Sequence, residues 1–575
     1  MVGMKGHGGG YAGYAARVDP RFTGGQEPAV SRPNRFCSRA RVLALTFFLL
    51  GTLVIWLLVP LGSPRYRIEF DPAEVAYRES FLGQGLLEPA ADAPNVVLIL
   101  ADDLGRYEVS RYGGRHVPTP HIDAIGESGV TFSEGYITSP ICSPSRAGLI
   151  TGRYPQRFGF EINVHERYPK NRLELYAYRY LVVTGDWLVA DRGEVSVPSF
   201  DDMHKQGLPP TEFTLPEVLT RVGYRSGIMG KWHLGYGDSS LPLRRGFDTH
   251  YGFYEAFSLY APVDDPSIVN RRLDHFADRH IWKKGRSGNC AIRRDHRVID
   301  ETDYLTPRIA QETNAWIAEN QDHRFFAYVP FSAPHTPFQV PREYSDRFAD
   351  APSPEKQVYW GMIAALDDAV GAILGQLETL GLREKTLVFF LSDNGGATYT
   401  GAADNSPLKG GKLTNFEGGI RVPFMVSWPG HLPAGRWVDG PVTSLDIFAT
   451  VAAATGAPVP PERPLDGVDL LRYFSADSAV AELPARDLYW RSGDHRAVRS
   501  GRWKMVDDRK SRRRVLYDVL ADESENQDLS AVKPEVVKDL LGRFEAWETE
   551  MIDPRWPRVM DYRIVDGTAE YYFPL

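Results

Sequence analysis

Asn95-Val-Val-Leu-Ile-Leu-Ala-Asp-Asp103 is the stretch from which the fold is read. Asn95–Leu100 carries a continuous apolar run rather than an alternating one. A strand shows that pattern when both faces are covered, as in a parallel sheet between layers of helices. It runs straight into Asp102-Asp103. A second run, Thr386-Leu-Val-Phe-Phe-Leu391, ends in Ser392-Asp393-Asn394-Gly395-Gly396. In open α/β sheets ligands bind at the carboxyl ends of strands. Two acidic strand ends from distant parts of the chain therefore point to one site.

Helical signals lie between these runs. Thr214 and Glu217 have capping-box spacing ahead of Leu215–Val222, and Gly223 stops that helix. Tyr224–Met229 then reads as a strand leading into Gly230-Lys-Trp-His-Leu-Gly235, and Tyr359–Leu380 has helical periodicity. Alternation of this kind predicts a large mixed or parallel sheet sandwiched by helices. Catalytic-domain limits of about 94–455 follow, with an irregular, Tyr- and charge-rich insertion near 161–210. Beyond the Pro-rich stretch at 457–461, residues 456–575 read as a smaller α+β subdomain. Its short alternating segments, Arg499–Val506 and Arg514–Val519, predict an antiparallel sheet.

The chain has 575 residues, 43% apolar and 24% charged, with a net charge of −8. That balance gives no nucleic-acid footprint, which needs a basic surplus, and it leaves room for an anionic substrate held by a few local cations. Residues 42–59, VLALTFFLLGTLVIWLLV, are uncharged and span about 27 Å as a helix, close to a bilayer core. The arm 1–41 before them carries Lys5, Arg17, Arg21, Arg32, Arg35, Arg39 and Arg41 against Asp19 and Glu27. This excess predicts a single-pass anchor over 42–62, a cytoplasmic N-terminus and an extracytoplasmic (periplasmic or luminal) catalytic domain. Residues 63–93 read as a linker. A cleavable signal peptide is the alternative, but no A-x-A-like site follows the run.

Three cysteines, Cys37, Cys142 and Cys290, make no disulfide framework and have no zinc spacing. By spacing alone each is most simply a small buried apolar residue. Pro144 suits the first turn of a helix ending at Thr151-Gly152, which sets Cys142 at a helix N-terminus, where anions are favoured. Arg146 lies one turn in. Asp102, Asp103, Asp393 and Asn394 offer only oxygen ligands, which suit Ca²⁺ or Mg²⁺ rather than zinc. Lys231, His233, His335 and Lys412 lie in Gly- or Pro-flanked loops. They are the residue types needed to hold an anion and move a proton.

Cys142-Ser-Pro-Ser-Arg146-Ala-Gly-Leu-Ile-Thr151-Gly152 resembles the signature of the formylglycine-dependent sulfatases, C-x-P-S-R followed four residues later by T-G. Leu98–Gly105, Gly230–Gly235, Ala333–Pro337, Ser392–Gly396, Gly411–Gly419 and Leu516–Asp518 are similar to further motifs of that family, in its order. The resemblance implies an alkaline phosphatase-like fold and hydrolysis of a sulfate ester on a small molecule or glycan. It also implies conversion of Cys142 to formylglycine by a maturation enzyme, before the exported domain folds. A divalent cation, Ca²⁺ ahead of Mg²⁺, would be held by Asp102, Asp103, Asp393, Asn394 and residue 142. Arg146, Lys231 and His233 would surround the hydrated aldehyde, and His335 and Lys412 would grip the sulfate and bridging oxygen. In that mechanism one hydroxyl of the hydrate attacks sulfur, the alcohol leaves, and loss of a proton from the second hydroxyl expels sulfate.

This sequence departs from the family in two places. Arg106-Tyr107-Glu108 stands where many relatives carry Trp or Tyr, Gly and Asp. A hydroxyl donor that some relatives place after the Gly246-Phe247 segment has only Ser258 as a candidate. Two other readings are a phosphate or phosphonate ester hydrolase of the wider superfamily and a catalytically inactive, membrane-tethered carbohydrate-binding protein. A second metal site or a serine or threonine nucleophile would favour the first, and loss of the set from Asp102 to Lys412 would favour the second.

Overall fold

The computed structural model describes residues 35–61, 68–165, 168–183, 185–189, 199–474, 483–566 and 569–574. Most of the basic arm, including Lys5, Arg17, Arg21 and Arg32, lies outside the described residues, as does the side chain of Cys37. The chain forms two compact units, residues 1–58 and 59–575. Among the described residues, two helices are long and apolar enough to cross a membrane. In the first unit, helix α1 (Arg35–Leu58) has its apolar stretch wholly exposed. The other, Pro354–Thr379, is mostly buried and is a core helix by that test.

The second unit is built on a ten-stranded sheet. Its main strands are β1 (Asn95–Ala101), β2 (Val130–Tyr136), β3 (Arg225–Lys231), β4 (Thr249–Phe253), β5 (Phe325–Pro330), β6 (Thr386–Ser392), β7 (Phe424–Ser427) and β8 (Arg436–Thr443). Their spatial order is β8-β2-β7-β6-β1-β5-β3-β4, with two short strands near 293–298 at the β4 edge. Strands β6, β1, β5, β3 and β4 are mutually parallel, while β7 runs antiparallel between β6 and β2. All seven residues of β1 are buried. Val96, Leu98 and Leu100 enter one core and Val97, Ile99 and Ala101 the other, the two-sided burial that an unbroken apolar run encodes.

Helices cover both faces. α2 (Cys142–Thr151), α3 (Leu215–Thr220) and α6 (Leu445–Thr455) lie with the first core; α4 (Leu305–Glu319) and α5 (Pro354–Thr379) lie with the second. α3 has the expected capping box, and Gly223 takes the left-handed φ of +76° that ends the segment.

A four-stranded antiparallel sheet follows: β9 (Asp487–Ser492), β10 (His495–Ser500), β11 (Trp503–Asp508) and β12 (Arg513–Asp518). Helix α7 (Pro534–Glu548) packs on it through Leu540 and Phe544, which share a core with Val498, Met505 and Leu516. Arg499–Val506, read from sequence as one segment, is instead the end of β10, a turn and the start of β11. Gly501, at φ +55°, reverses the chain between the paired residues Ser500 and Trp503. The small sheet is fastened to the large one. Trp490 Nε1 donates to Ile137 O (2.7 Å), and Lys504 Nζ lies 2.9 Å from both Glu417 and Glu525 in full burial.

Two further expectations need correction. The linker expected over 63–93 contains a helix, Pro72–Leu82, capped by Asp71 and tied by its buried Arg78 to Glu217. Its Pro at N1 and Asp cap are legible once a helix that short is considered. The 161–210 insertion is also more ordered than its sequence suggests: Trp187–Val189 forms the edge of a three-stranded sheet with the Met560–Asp566 and Ala569–Pro574 hairpin. Its pairing partner lies in the C-terminal region, so local periodicity carries no sign of it.

If the two-sided core holds the sheet, Phe389→Ala in β6 should cost about 3–5 kcal/mol, since it removes a fully buried ring between layers. Chemical denaturation of the detergent-solubilised protein reads this as a lowered midpoint; an unchanged midpoint would contradict that role.

Candidate active site

The register of β1 against β6 places Ala101 opposite Ser392, so the two acidic ends leave the sheet side by side. The Asp393 amide donates to Ala101 O (3.0 Å), the Asp103 amide donates to Asp393 Oδ1 (3.3 Å), and Asn394 Nδ2 donates to Asp103 Oδ1 (2.6 Å). Asp103 itself takes a left-handed φ of +65°, which turns its side chain back over the strand ends. β3 brings in the next group. At Gly230 a Cβ would stand 2.0 Å from Pro330 O, so only glycine allows β3 to close on β5 there. The following residue, Lys231, donates from Nζ to Asp102 Oδ2 at 2.6 Å, fully buried.

α2 supplies Cys142 and Arg146, and every residue of this helix is buried. The amide of Ser143 donates to Asn163 Oδ1 (3.2 Å), Ser143 Oγ donates to His233 O (2.8 Å), and Gly152 at φ +66° ends the helix where expected. Cys142 Sγ lies 3.5 Å from Asp102 Oδ1. Burial pushes its thiol well above the usual range against the pull of Lys231 and Lys412, and a thiol kept protonated is a poor nucleophile. Arg146 reaches Asp393 Oδ2 from Nε at 2.8 Å and lies 3.5 Å from Asp102.

Lys412 Nζ lies 2.8 Å from Asp103 Oδ1 and 3.0 Å from Oδ2; despite burial, Asp103 holds its ammonium well above the usual range. Burial raises the Asp102 carboxyl, but Lys231, His335 and Arg146 together bring it below the ordinary value. His335 Nδ1 faces Thr336 O, which can only accept, so Nδ1 carries a proton and Nε2 points toward Asp103 Oδ2, 3.7 Å away. His233 is held at φ +55°, with both ring nitrogens buried and without a hydrogen-bond partner among the described residues. Burial, then Lys231, Arg146 and Lys412, lowers its imidazole well below the usual range.

All ten sequence-derived residues thus gather at one end of the sheet. A ligand atom from each of Asp102, Asp103, Cys142 and His335 lies within 4.8 Å of the others. The residues fit a hard divalent cation on one direct observation. Asn394 Oδ1 is a buried amide oxygen with no hydrogen-bond partner among the described residues, beside Asp103 and Asp393. Buried acceptors are rarely left unmatched unless something outside the chain satisfies them.

Other contributors escaped the sequence. Asn405 accepts the Gly396 amide and donates to Gly396 O (2.9 Å) and Gly410 O, tying the Asn394 loop to the Lys412 loop. Tyr260 OH donates to His335 O at 2.8 Å. Tyr399, whose phenol feels Lys412, Asp103 and Cys142, forms an aromatic wall with Trp187 and Tyr562 at ring separations of 5.2 and 5.7 Å. Nothing in their local sequence separates them from ordinary loop residues. Ser258, the candidate hydroxyl donor, is buried and donates to Cys290 O at 2.7 Å, so that proton is already engaged.

With this geometry in place, comparisons with known proteins bear on the chemistry. The Sulfatase family model matches residues 94–457. N-acetylgalactosamine-6-sulfatase of Sus scrofa is 32% identical over 420 residues, covering 72% of each chain. Steryl-sulfatase of Rattus norvegicus is 30% identical, covering 66% of this chain and 70% of its own. Among solved structures, Ps i-CgsB in complex with k-i-k-neocarrahexaose superposes with a TM-score of 0.67 at 30% identity, covering 81% of this chain and 94% of that one. The phosphonate monoester hydrolase of Agrobacterium radiobacter shares the fold at 20% identity and a TM-score of 0.54. The chain belongs to the sulfatase family and is a sulfuric ester hydrolase.

Proposed function

We propose that this enzyme cleaves a sulfate ester through formylglycine made from Cys142, with a divalent cation, Ca²⁺ by preference, and releases inorganic sulfate. The observation that carries the reading is Cys142 at the buried N-terminus of α2, 3.5 Å from Asp102, inside a ring of oxygen ligands and cations. Asp102, Asp103, Asp393 and Asn394 would hold the cation. When present, the cation supplies positive charge beside residue 142, and hydrated formylglycine supplies two hydroxyls on one carbon, one to attack sulfur and one to release it.

The chain's own groups divide the remaining work. Arg146 and Lys231, locked by Asp393 and Asp102, fix the carboxylates and the charge around residue 142. Lys412 and His335 Nε2 face the space where the sulfate and its bridging oxygen would sit, and the departing alcohol takes its proton from one of them. His233, neutral and without another partner among the described residues, accepts the proton whose loss frees sulfate. Such preset charges act strongly because the groups are buried and already in place, so little reorganisation is needed.

The substrate reading is a sulfate ester of a ring-bearing alcohol, a sulfated glycan or small molecule. Its support is the Trp187–Tyr399–Tyr562 aromatic cluster near Lys412, whose rings meet edge-on or tilted, together with relatives named for sulfated amino sugars and sterols. α1 is read as an uncleaved anchor with a cytoplasmic N-terminus, supported by its exposed apolar length and the basic arm before it. The maturation enzyme then acts on Cys142 before α2 is buried.

Mass spectrometry of the peptide containing residue 142, from protein made with its maturation system, should show the aldehyde; unmodified cysteine in fully active enzyme would sink the mechanism. Lys412→Ala should lower kcat on an aryl sulfate by about 10²–10³-fold, the usual loss of a preorganised charge donor; near-normal kcat would remove Lys412 from the reacting centre. Asn394→Ala should weaken divalent-cation binding by about 10–100-fold, measured by titration of chelator-stripped protein. Unchanged affinity would place the cation elsewhere.

A further inference from the structure

The described part of the insertion carries an apolar surface that the chemistry does not use. Arg172–Ala177 is a short helix capped by Asn171, which accepts the Glu174 amide at 2.9 Å, and it continues through one wider turn over Tyr178–Val182. Leu181 is 79% exposed, Tyr180 70% and Leu173 50%, with Tyr176 and Val182 also exposed. Lys170, Arg172 and Arg179 flank them. On the opposite side Leu175 packs against the buried pair Leu61 and Tyr168. One apolar face is therefore buried and a second, aromatic and basic, faces outward. Contiguous exposed apolar surface on a protein marks an interaction site.

The chain itself indicates what that surface meets. Leu61 donates its amide to Lys170 O at 2.9 Å, and Pro60 forms an antiparallel bridge with Asn171. Pro60 follows the last residue of α1, Leu58, by two positions. An extended chain advances at most about 3.6 Å per residue and paired strands lie about 5 Å apart, so the segment begins within about 12 Å of the end of α1. This holds for any orientation of α1. If α1 spans a bilayer, that is headgroup depth. Tyrosines with apolar rings and polar tips, leucines, and long basic side chains are the residues that settle there.

We infer that residues 172–182 are a second membrane contact, a short amphipathic segment that lies in the headgroup region of the bilayer crossed by α1. The inference rests on reading α1 as an anchor. It has a consequence for the site. Trp187 follows Val182 by five residues, at most about 18 Å of chain, and packs on Tyr399 beside Lys412. The segment would hold the mouth of the site close to the bilayer surface, where sulfate esters carried by lipids are presented.

The test uses full-length Cys37→Ser protein in phosphatidylcholine–phosphatidylglycerol vesicles containing a lipid spin-labelled at headgroup depth, which reads residues 181 and 520, or, in a parallel sample, a lipid spin-labelled deep in the acyl chain, which reads residue 48. A fluorophore is attached at Leu181→Cys, at Leu520→Cys in an exposed turn distant in sequence, or at Phe48→Cys within α1; Cys142 and Cys290 are buried. The expected result is quenching at residue 181 several-fold above that at residue 520. Quenching at 48 but not at 181 would overturn this inference alone, and absence of quenching at 48 would remove the anchor reading and this inference with it. A Leu173→Asp/Leu181→Asp variant should keep its activity on a soluble aryl sulfate and lose several-fold on a vesicle-borne sulfated lipid. Equal retention on both would overturn the link between this segment and the site.

Discussion

The site depends on a balance of buried charge. Asp102, Asp103 and Asp393 face Arg146, Lys231 and Lys412, three carboxylates against three cations, and all six are buried. Isolated charges could not stay ionised there, because desolvation would neutralise them. Pairing opposite charges offsets that cost and holds the side chains in place. The six come from five elements: the ends of β1 and β6, the last residue of β3, the helix opening at Cys142 and the Lys412 loop. The balance therefore exists only when the sheet is in register, and the register is set by the two apolar cores on either side of β1 and β6.

That arrangement explains why so much of the site could be read from residues alone. An unbroken apolar run names a central strand, and an acidic pair after it marks the strand's end without any knowledge of its neighbours. Cys142 and Arg146 became legible through Pro144, Gly152 and the motif around them. Asn405, Asn163, Tyr260 and Tyr399 did not, since each acts through a backbone group or ring brought close by tertiary folding. Ser258 went the other way: a hydroxyl of the right type was present, but its partner is Cys290 O.

The peripheral structure was harder for a related reason. Trp187–Val189 and Arg172–Val182 are short, and their order comes from residues far away in the chain: Met560–Tyr562 for one, Pro60 and Leu61 for the other. Periodicity needs a longer window than either offers. The hairpin at Gly501 failed for the opposite reason, two strands so closely joined that they read as one.

The pairing of Trp187 with Tyr562 also sets a timetable. Synthesis proceeds from the N-terminus, so Trp187 waits for its strand partner until residues near 560 have been made. Until then the aromatic wall beside Lys412 stands unfinished, with Trp187 lacking the ring it packs against at 4.8 Å. A ribosome-bound chain carrying every charged residue of the site would still lack this side of its pocket. Late pairing of this strand thus makes the aromatic side of the pocket the last part of the site to be assembled.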